Sequence, residues 1–224
     1  MRKILIVPNE YYHVFNRGNN KQLIFEDNRD YLRFLFLLLH FQSDIPIYNI
    51  GSFITYYIKH RVFNISKTIA DKIIKNRSVE LINFTLEPNH FHITIKGIGE
   101  KGISNYMQRI LNAYTKYFNT KYTKSGHLFQ GPYKAVHIKD NKQLLYLSTY
   151  IHRNCREIIK WKNKEDLYPW SSYQDYTKEN RWNKLLEQDV ILNQFSSKES
   201  YDDFVKSSTA KELGKNLDNE LLLD

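Results

Sequence analysis

The residues from His90 onward, HFHITIK, alternate strictly between polar and apolar side chains, and this pattern constrains the fold more than any other. In an extended strand the alternation puts His90 and His92 on one face and the large apolar residues on the other. The apolar face must be buried, so we expect a sheet with helices packed against it. The two imidazoles project from the polar face, close enough to share one metal ion.

Hydrophobic spacing and end signals predict the other elements around this strand. They predict strands over 11–16, 79–86, 91–95 and 128–138, and helices that begin near residues 27, 104 and 141 and end near 41, 118 and 161. The resulting order is strand, helix, strands, helix, strand, helix. It is typical of an α+β domain whose helices pack on a mainly antiparallel sheet.

The chain is expected to hold one main domain, residues 1–176, followed by an appendage, residues 177–224. The appendage is polar and weakly patterned, so we expect it to be helical or mobile. Residues 45–76 interrupt the main pattern and are interpreted as an insertion. Within it, 48–58 has a β-like composition and 65–75 has helical spacing.

Composition limits the class of protein. The formal charge of +9 is spread along the chain, which favours a polyanion such as nucleic acid as the partner. The single cysteine, Cys155, excludes an internal disulfide and a thiolate zinc cluster, and it suits a reducing cytoplasm. The apolar run 34–39 is too short to span a membrane, and the N-terminus lacks a signal-peptide pattern, so we expect no membrane association.

A second group of polar residues lies on the last predicted helix of the main domain. Tyr150 and Asn154 are four residues apart, so a helix puts the phenol and the amide on one face. A histidine pair by itself is more often solvated or hydrogen-bonded than bound to metal. The tyrosine and the amide are therefore the observation that gives the histidine pair a specific chemical context.

Five motifs, in order along the chain, resemble those of the single-tyrosine HUH transposases, which are named for a His-hydrophobic-His motif. Within that family the chain is similar to the IS200-like and REP-associated tyrosine transposases, over roughly residues 10–175. The motifs are YHVFNRGNN (12–20), PNHFH (88–92), GHLFQGPYK (126–134), YIHRN (150–154) and YPWSSY (168–173).

This resemblance implies a ferredoxin-like core and a divalent Mg or Mn ion held by His90 and His92. It further implies that Tyr150 attacks single-stranded DNA, forms a 5′-phosphotyrosine link and releases a 3′-hydroxyl that can later rejoin the strand. Asn154 occupies the position at which family members complete the metal site, and an amide oxygen is a suitable hard ligand.

Two residues depart from the family pattern, since Cys155 replaces a usual proline and Glu87 stands where methionine is frequent. Neither change removes a reacting group. Tyr146, one turn before the motif tyrosine, is the alternative nucleophile, and either tyrosine is otherwise a packing residue. His127 and His137 are interpreted as structural histidines rather than as further ligands.

Single-stranded DNA with hairpin or palindromic repeats is the expected partner, bound by a monomer or a homodimer. The expected DNA contacts are Arg17, Asn19, Asn20, Arg109, Lys116, Lys134 and Arg153, with Trp170 and Tyr173 as stacking surfaces. Two alternatives remain open. One is a domesticated hairpin-binding protein that no longer cuts, and the other is a metal-dependent nuclease that uses water instead of tyrosine.

Overall fold

The computed structural model describes residues 6–208 of the chain. Its four strands are β1 (Tyr11–Arg17), β2 (Val79–Glu87), β3 (His90–Gly97) and β4 (Lys134–His137). All neighbouring strands are antiparallel, and their order across the sheet is β2-β3-β1-β4. This is the order of a ferredoxin-like fold, so the predicted α+β class and ferredoxin-like core are confirmed.

Eight α-helices accompany the sheet in the described part of the chain. They are α1 (Asn28–His40), α2 (Ile50–His60), α3 (Lys67–Lys75), α4 (Gly102–Tyr122), α5 (Asn141–Arg153), α6 (Tyr173–Thr177), α7 (Asp189–Leu192) and α8 (Lys198–Ser207). None of the helices described is both long and apolar enough to span a bilayer.

Helices α1 and α4 cover the apolar face of the sheet. Phe91, Ile93 and Ile95 on β3 are fully buried there. The ring of Phe34 on α1 lies 4.9 Å from Phe91 and 5.0 Å from Tyr114 on α4, measured between ring centroids. This packing confirms that one side of the alternating strand anchors it in the core.

Helix α1 begins where its sequence predicts. Asp27 accepts hydrogen bonds from the backbone N–H groups of Arg29 and Asp30, and the Asp30 carboxylate accepts one from the Asp27 N–H. This reciprocal arrangement is a capping box, which satisfies N–H groups that the first helical turn leaves without partners.

The opposite, polar face of the sheet lies beneath α5, which packs across β2 and β3. Asp140 caps this helix by accepting a hydrogen bond from the N–H of Gln143 at 2.8 Å. The histidines of β3 are therefore enclosed between the sheet and α5 instead of lying on an open surface.

Three local predictions are wrong. Residues 48–58 are not β-like, because α2 spans Ile50–His60 and buries Ile50, Ile54 and Tyr57. The predicted strand 128–138 is extended only as β4, and Gly131, at φ +111°, lies in the irregular segment before it. The last predicted helix ends at Arg153 and continues as short 3-10 turns.

Residues 177–208 of the expected appendage pack on the main body. Trp182, Tyr201 and Val205 are completely buried, and the N–H of Glu187 donates a hydrogen bond to the carbonyl of Leu81 on β2. The rest of that segment, 209–224, lies outside the described residues. The insertion 45–76 contains α2 and α3, and α2 packs on α1.

Candidate active site

Three potential ligand atoms converge at one end of the β2–β3 hairpin. Glu87 ends β2, His90 begins β3, and the two residues are partners in the strand register. Nitrogen or oxygen atoms of Glu87, His90 and His92 all lie within 4.8 Å of one another. The arrangement is a two-histidine, one-carboxylate cluster, and such donor sets bind divalent transition metals.

Glu87 is a candidate metal ligand that the sequence analysis missed. It is almost fully buried, and its Oε1 lies 3.1 Å from Nε2 of His90. The only residues between the two are Pro88 and Asn89, which form the hairpin turn. Residues that flank a two-residue turn face each other on the same side of the sheet, so this spacing was an available signal.

Hydrogen bonds hold both histidine rings by their Nδ1 atoms. Nδ1 of His90 lies 2.6 Å from Oδ1 of Asn89, and Nδ1 of His92 lies 2.9 Å from Nε2 of His13 on β1. The Asn89 oxygen only accepts, so Nδ1 of His90 carries a hydrogen, and Nε2 is the nitrogen that faces Glu87. A neutral imidazole and a carboxylate at this spacing can both bind one cation.

The environment of His92 keeps its ring neutral. The ring is completely buried, and burial is the largest cause that lowers its pKa well below 6.5, followed by the charges of His13, His90 and Arg17. Desolvation disfavours the charged imidazolium, so a neutral ring is present at neutral pH. A neutral ring is the form that can coordinate a metal.

Tyr150 lies beside this cluster, as the sequence predicts. Its half-buried ring is edge-on to His92 and His13, with centroid separations of 5.7 Å and 6.3 Å. Tyr146, the alternative nucleophile, instead packs near Phe204 of α8, with 6.2 Å between ring centroids. The helix thus separates the two tyrosines, and Tyr150 is the one in contact with the histidine rings.

Asn154, the expected third ligand, begins the 3-10 turn that follows α5, and this turn packs against β2. Its Nδ2 is buried without a hydrogen-bond partner. The carboxylate that converges with the two histidines belongs to Glu87.

Two predicted DNA-binding cations lie on the same face of the sheet as the cluster. Arg17 is the register partner of His90, and Phe15 is the partner of both His92 and Lys134. Lys134 is exposed, with its Nζ 5.8 Å from the centre of the Phe15 ring. Asn19 and Asn20 lie in a short 3-10 turn just after the end of β1.

Lys116 and Arg109 lie on α4, on the other side of the sheet. Lys116 is exposed, whereas Nη1 of Arg109 donates hydrogen bonds to the carbonyl of Ser43 at 2.8 Å and to the carboxylate of Asp44 at 2.9 Å. The guanidinium of Arg109 therefore joins α4 to the loop after α1.

The remaining three predicted contacts are engaged within the protein. Arg153 donates to backbone carbonyls at the end of α8. The ring of Trp170 stacks on Tyr31 at 4.7 Å and is 9% exposed. Tyr173 is 1% exposed and donates a hydrogen bond to Asp202 at 2.6 Å. The structure does not bring these side chains to the cluster.

The candidate site therefore combines a ferredoxin-like sheet, two histidines on a central strand and a tyrosine on the facing helix. Residues 53–154 match the family described as IS200-like transposase. For this segment, the match confirms the family that the motifs predicted. It begins within the stretch interpreted as an insertion and ends at Asn154.

The fold is also similar to that of a solved protein, a REP-associated tyrosine transposase bound to a REP hairpin. The TM-score is 0.52 and the sequence identity is 15%, over 88% of this chain and 94% of that one. At this identity the likeness concerns the fold. No curated protein has significant sequence similarity to this chain.

Proposed function

We propose that this transposase cleaves and rejoins single-stranded DNA, with Tyr150 as the nucleophile and a divalent metal at Glu87, His90 and His92. The observation that carries the proposal is the edge-on contact of the Tyr150 ring with His92, at 5.7 Å between centroids. A phenol beside a candidate metal site supports attack by the tyrosine on a phosphate bound there.

The donor set fits a divalent ion. Two imidazole nitrogens and one carboxylate oxygen converge, and Oε1 of Glu87 is buried without a hydrogen bond. We propose Mg or Mn as the ion and the amide oxygen of Asn154 as a further ligand. When bound, the ion polarises a non-bridging phosphate oxygen and stabilises charge in the in-line transition state.

The tyrosine oxygen forms a bond to phosphorus while the bond from phosphorus to the 3′-oxygen breaks. The phenol loses its proton, and the departing 3′-oxygen gains one, so no external oxidant or energy source is needed. The phosphodiester energy is retained in the 5′-phosphotyrosine link. A 3′-hydroxyl that attacks this link reverses the step and joins two strands, which distinguishes strand transfer from hydrolysis.

For the DNA path we propose the polar face of the sheet, with Arg17 and Lys134 as phosphate contacts beside the cluster and Asn19 and Asn20 at the end of β1. Lys116 would join these DNA contacts only if the DNA also passed over α4. To contact DNA, Arg109 and Arg153 would have to lose their hydrogen bonds within the protein. Trp170 and Tyr173 would have to leave the core. The proposed path therefore does not include them.

The relative solved with a REP hairpin motivates the choice of partner. We propose single-stranded DNA that carries a hairpin or palindromic repeat as the substrate. A homodimer would bind two such sites, and a reducing cytoplasm suits the single, buried Cys155.

Trapping the covalent adduct tests the mechanism. Hairpin-containing single-stranded oligonucleotides, labelled at the 3′ end and drawn from palindromes near the coding region, are incubated with the protein and Mn²⁺. Denaturing gels should show labelled protein for the wild type and for Tyr146→Phe, and none for Tyr150→Phe or His90→Ala. Full adduct yield with Tyr150→Phe would refute the assignment of the nucleophile.

The same experiment separates the alternative functions. A domesticated hairpin-binding protein would bind the oligonucleotides without cutting them. A nuclease that uses water would cut them in a metal-dependent manner, without a labelled protein band.

A further inference from the structure

His13 is a completely buried polar residue in contact with the cluster, and the function proposed above gives it no role. Its Nε2 lies 2.9 Å from Nδ1 of His92. The two rings are nearly parallel, with an interplanar angle of 20° and centroids 5.1 Å apart. A buried imidazole pair costs desolvation energy that an apolar pair would avoid. A role of the pair in the site would offset this cost.

The sheet register fixes the position of His13. It pairs with Thr94 on β3, so it lies diagonally across from His92 on the polar face. Phe15, two residues further along β1, packs against both rings, with centroids 4.8 Å from His13 and 5.7 Å from His92. Backbone pairing and ring packing therefore hold the His13 nitrogen at the Nδ1 edge of His92.

One hydrogen lies between the two facing nitrogens, and its position decides whether His92 can bind metal. If Nδ1 of His92 donates to Nε2 of His13, the lone pair on Nε2 of His92 is free for coordination. If instead the hydrogen belongs to His13, Nδ1 of a neutral His92 is the acceptor and Nε2 carries a hydrogen, so it cannot be a ligand.

We infer that His13 is a positioning residue that accepts a hydrogen bond from Nδ1 of His92 and so holds its Nε2 ready for a divalent metal. The inference rests on the proposed function, because it takes His92 to be a ligand. Asn89 makes the equivalent contact with His90 at 2.6 Å, so both imidazoles of the cluster are held through Nδ1. Such outer partners orient the ring and raise its basicity as a ligand.

Metal affinity, measured by calorimetric titration of the full chain with Mn²⁺ alone, tests this role. In His13→Phe the acceptor is lost while a ring remains, and we expect Mn²⁺ to bind roughly 10–100-fold more weakly. In His13→Gln the side-chain oxygen can accept from Nδ1 of His92, so most of the affinity should return. A role in folding alone would not distinguish an acceptor from an apolar ring in this way.

His137→Gln is the matched control, because this histidine lies on the neighbouring strand β4 and faces Glu10 at 3.1 Å instead of the cluster. Its Mn²⁺ affinity should equal that of the wild type. Unchanged affinity in folded His13→Phe, together with loss of binding in His90→Ala, would overturn the inference and leave the proposed function standing. A wild-type protein that binds no Mn²⁺ would overturn both.

A measurement on the wild type does not depend on whether the variants fold. With ¹⁵N-labelled histidine and Zn²⁺ as a diamagnetic probe, NMR should show the hydrogen of His92 on Nδ1 and the metal on Nε2. The opposite assignment, with the metal on Nδ1, would contradict the inference even if the site binds metal tightly.

Discussion

The carboxylate of Glu87 lies 3.1 Å from Nε2 of His90, directly across the β2–β3 pair. This contact adds a third potential ligand to the two histidines, although methionine is frequent at this position in the family that the motifs resemble. A cation bound beside it would stabilise the charge of this buried carboxylate.

Replacing Glu87 with methionine should weaken Mn²⁺ binding by more than the roughly 10–100-fold that loss of an outer partner costs, because a charged direct ligand is removed. Calorimetric titration measures the affinity. Glu80→Gln is the matched control, since Glu80 is on the same strand but pairs with Arg77 and Lys96. Equal affinities for Glu87→Met and wild type would exclude Glu87 as a ligand.

Arg17 and Lys134 should control the salt dependence of DNA binding. Each neutralised phosphate releases counterions, so Arg17→Ala and Lys134→Ala should each reduce the slope of log K against log salt by about 0.7 for a single strand. Fluorescence anisotropy with a labelled hairpin oligonucleotide gives the slope. Lys75→Ala, an exposed lysine at the end of α3, should leave the slope unchanged, and identical slopes for all three variants would argue against the proposed path.

The buried histidines His40 and His152 should make the protein acid-sensitive. Burial lowers the pKa of His40 to about 4 and that of His152 to about 3. Above pH 6.5 neither the folded nor the unfolded state binds these protons. Below it the unfolded state binds them first, so the free energy of unfolding should fall by up to about 1.4 kcal/mol per pH unit for each histidine.

Urea unfolding between pH 7 and pH 5.5 checks this direction. His40→Leu should reduce the pH slope, because one of the titrating groups is removed. Phe63→Leu changes the same aromatic cluster without a titrating group, so it should lower stability by equal amounts at both pH values. A steeper slope in His40→Leu than in the wild type would contradict the assignment.

Arg153 is expected to act on stability. Its Nη1 donates to the carbonyls of Val205 and Lys206 at 3.2 Å, and also to that of Ser208. These are carbonyls at the end of α8 that the helix itself leaves free. Arg153→Ala should cost about 1–2 kcal/mol in urea unfolding, since charge-assisted hydrogen bonds are lost.

The same variant should keep the salt slope of DNA binding that the wild type has. Lys162→Ala, an exposed lysine in the following loop, serves as the control and should change neither quantity. A large fall in salt slope for Arg153→Ala, with unchanged stability, would return this arginine to the set of DNA contacts.

Local sequence patterns predicted those features that depend on only a few neighbouring residues. The alternation around His90 predicted the two faces of β3, Asp27 predicted the start of α1, and helical spacing placed Tyr150 on α5. Each depends only on backbone periodicity or on a cap within a few residues.

Where local propensity and tertiary burial disagree, the structure follows burial. Residues 48–58 are rich in aromatic and β-branched side chains, yet they form a helix because Ile50, Ile54 and Tyr57 can pack together against α1. Likewise Trp170 and Tyr173 are suited to stacking on bases by residue type, but the fold uses them inside the core. Burial is a property of the whole chain, so composition alone does not decide it.

By itself, the sequence predicted the histidine strand and the helix that carries both candidate tyrosines, together with the likeness to IS200-like transposases. Only the tertiary structure decided that Glu87 and His13 join His92, and that Tyr150 rather than Tyr146 faces it. His13 is 79 residues from His92, and antiparallel register brings their nitrogens to 2.9 Å. Such contacts arise because many weak packing and pairing terms act together, and no short window of sequence contains them.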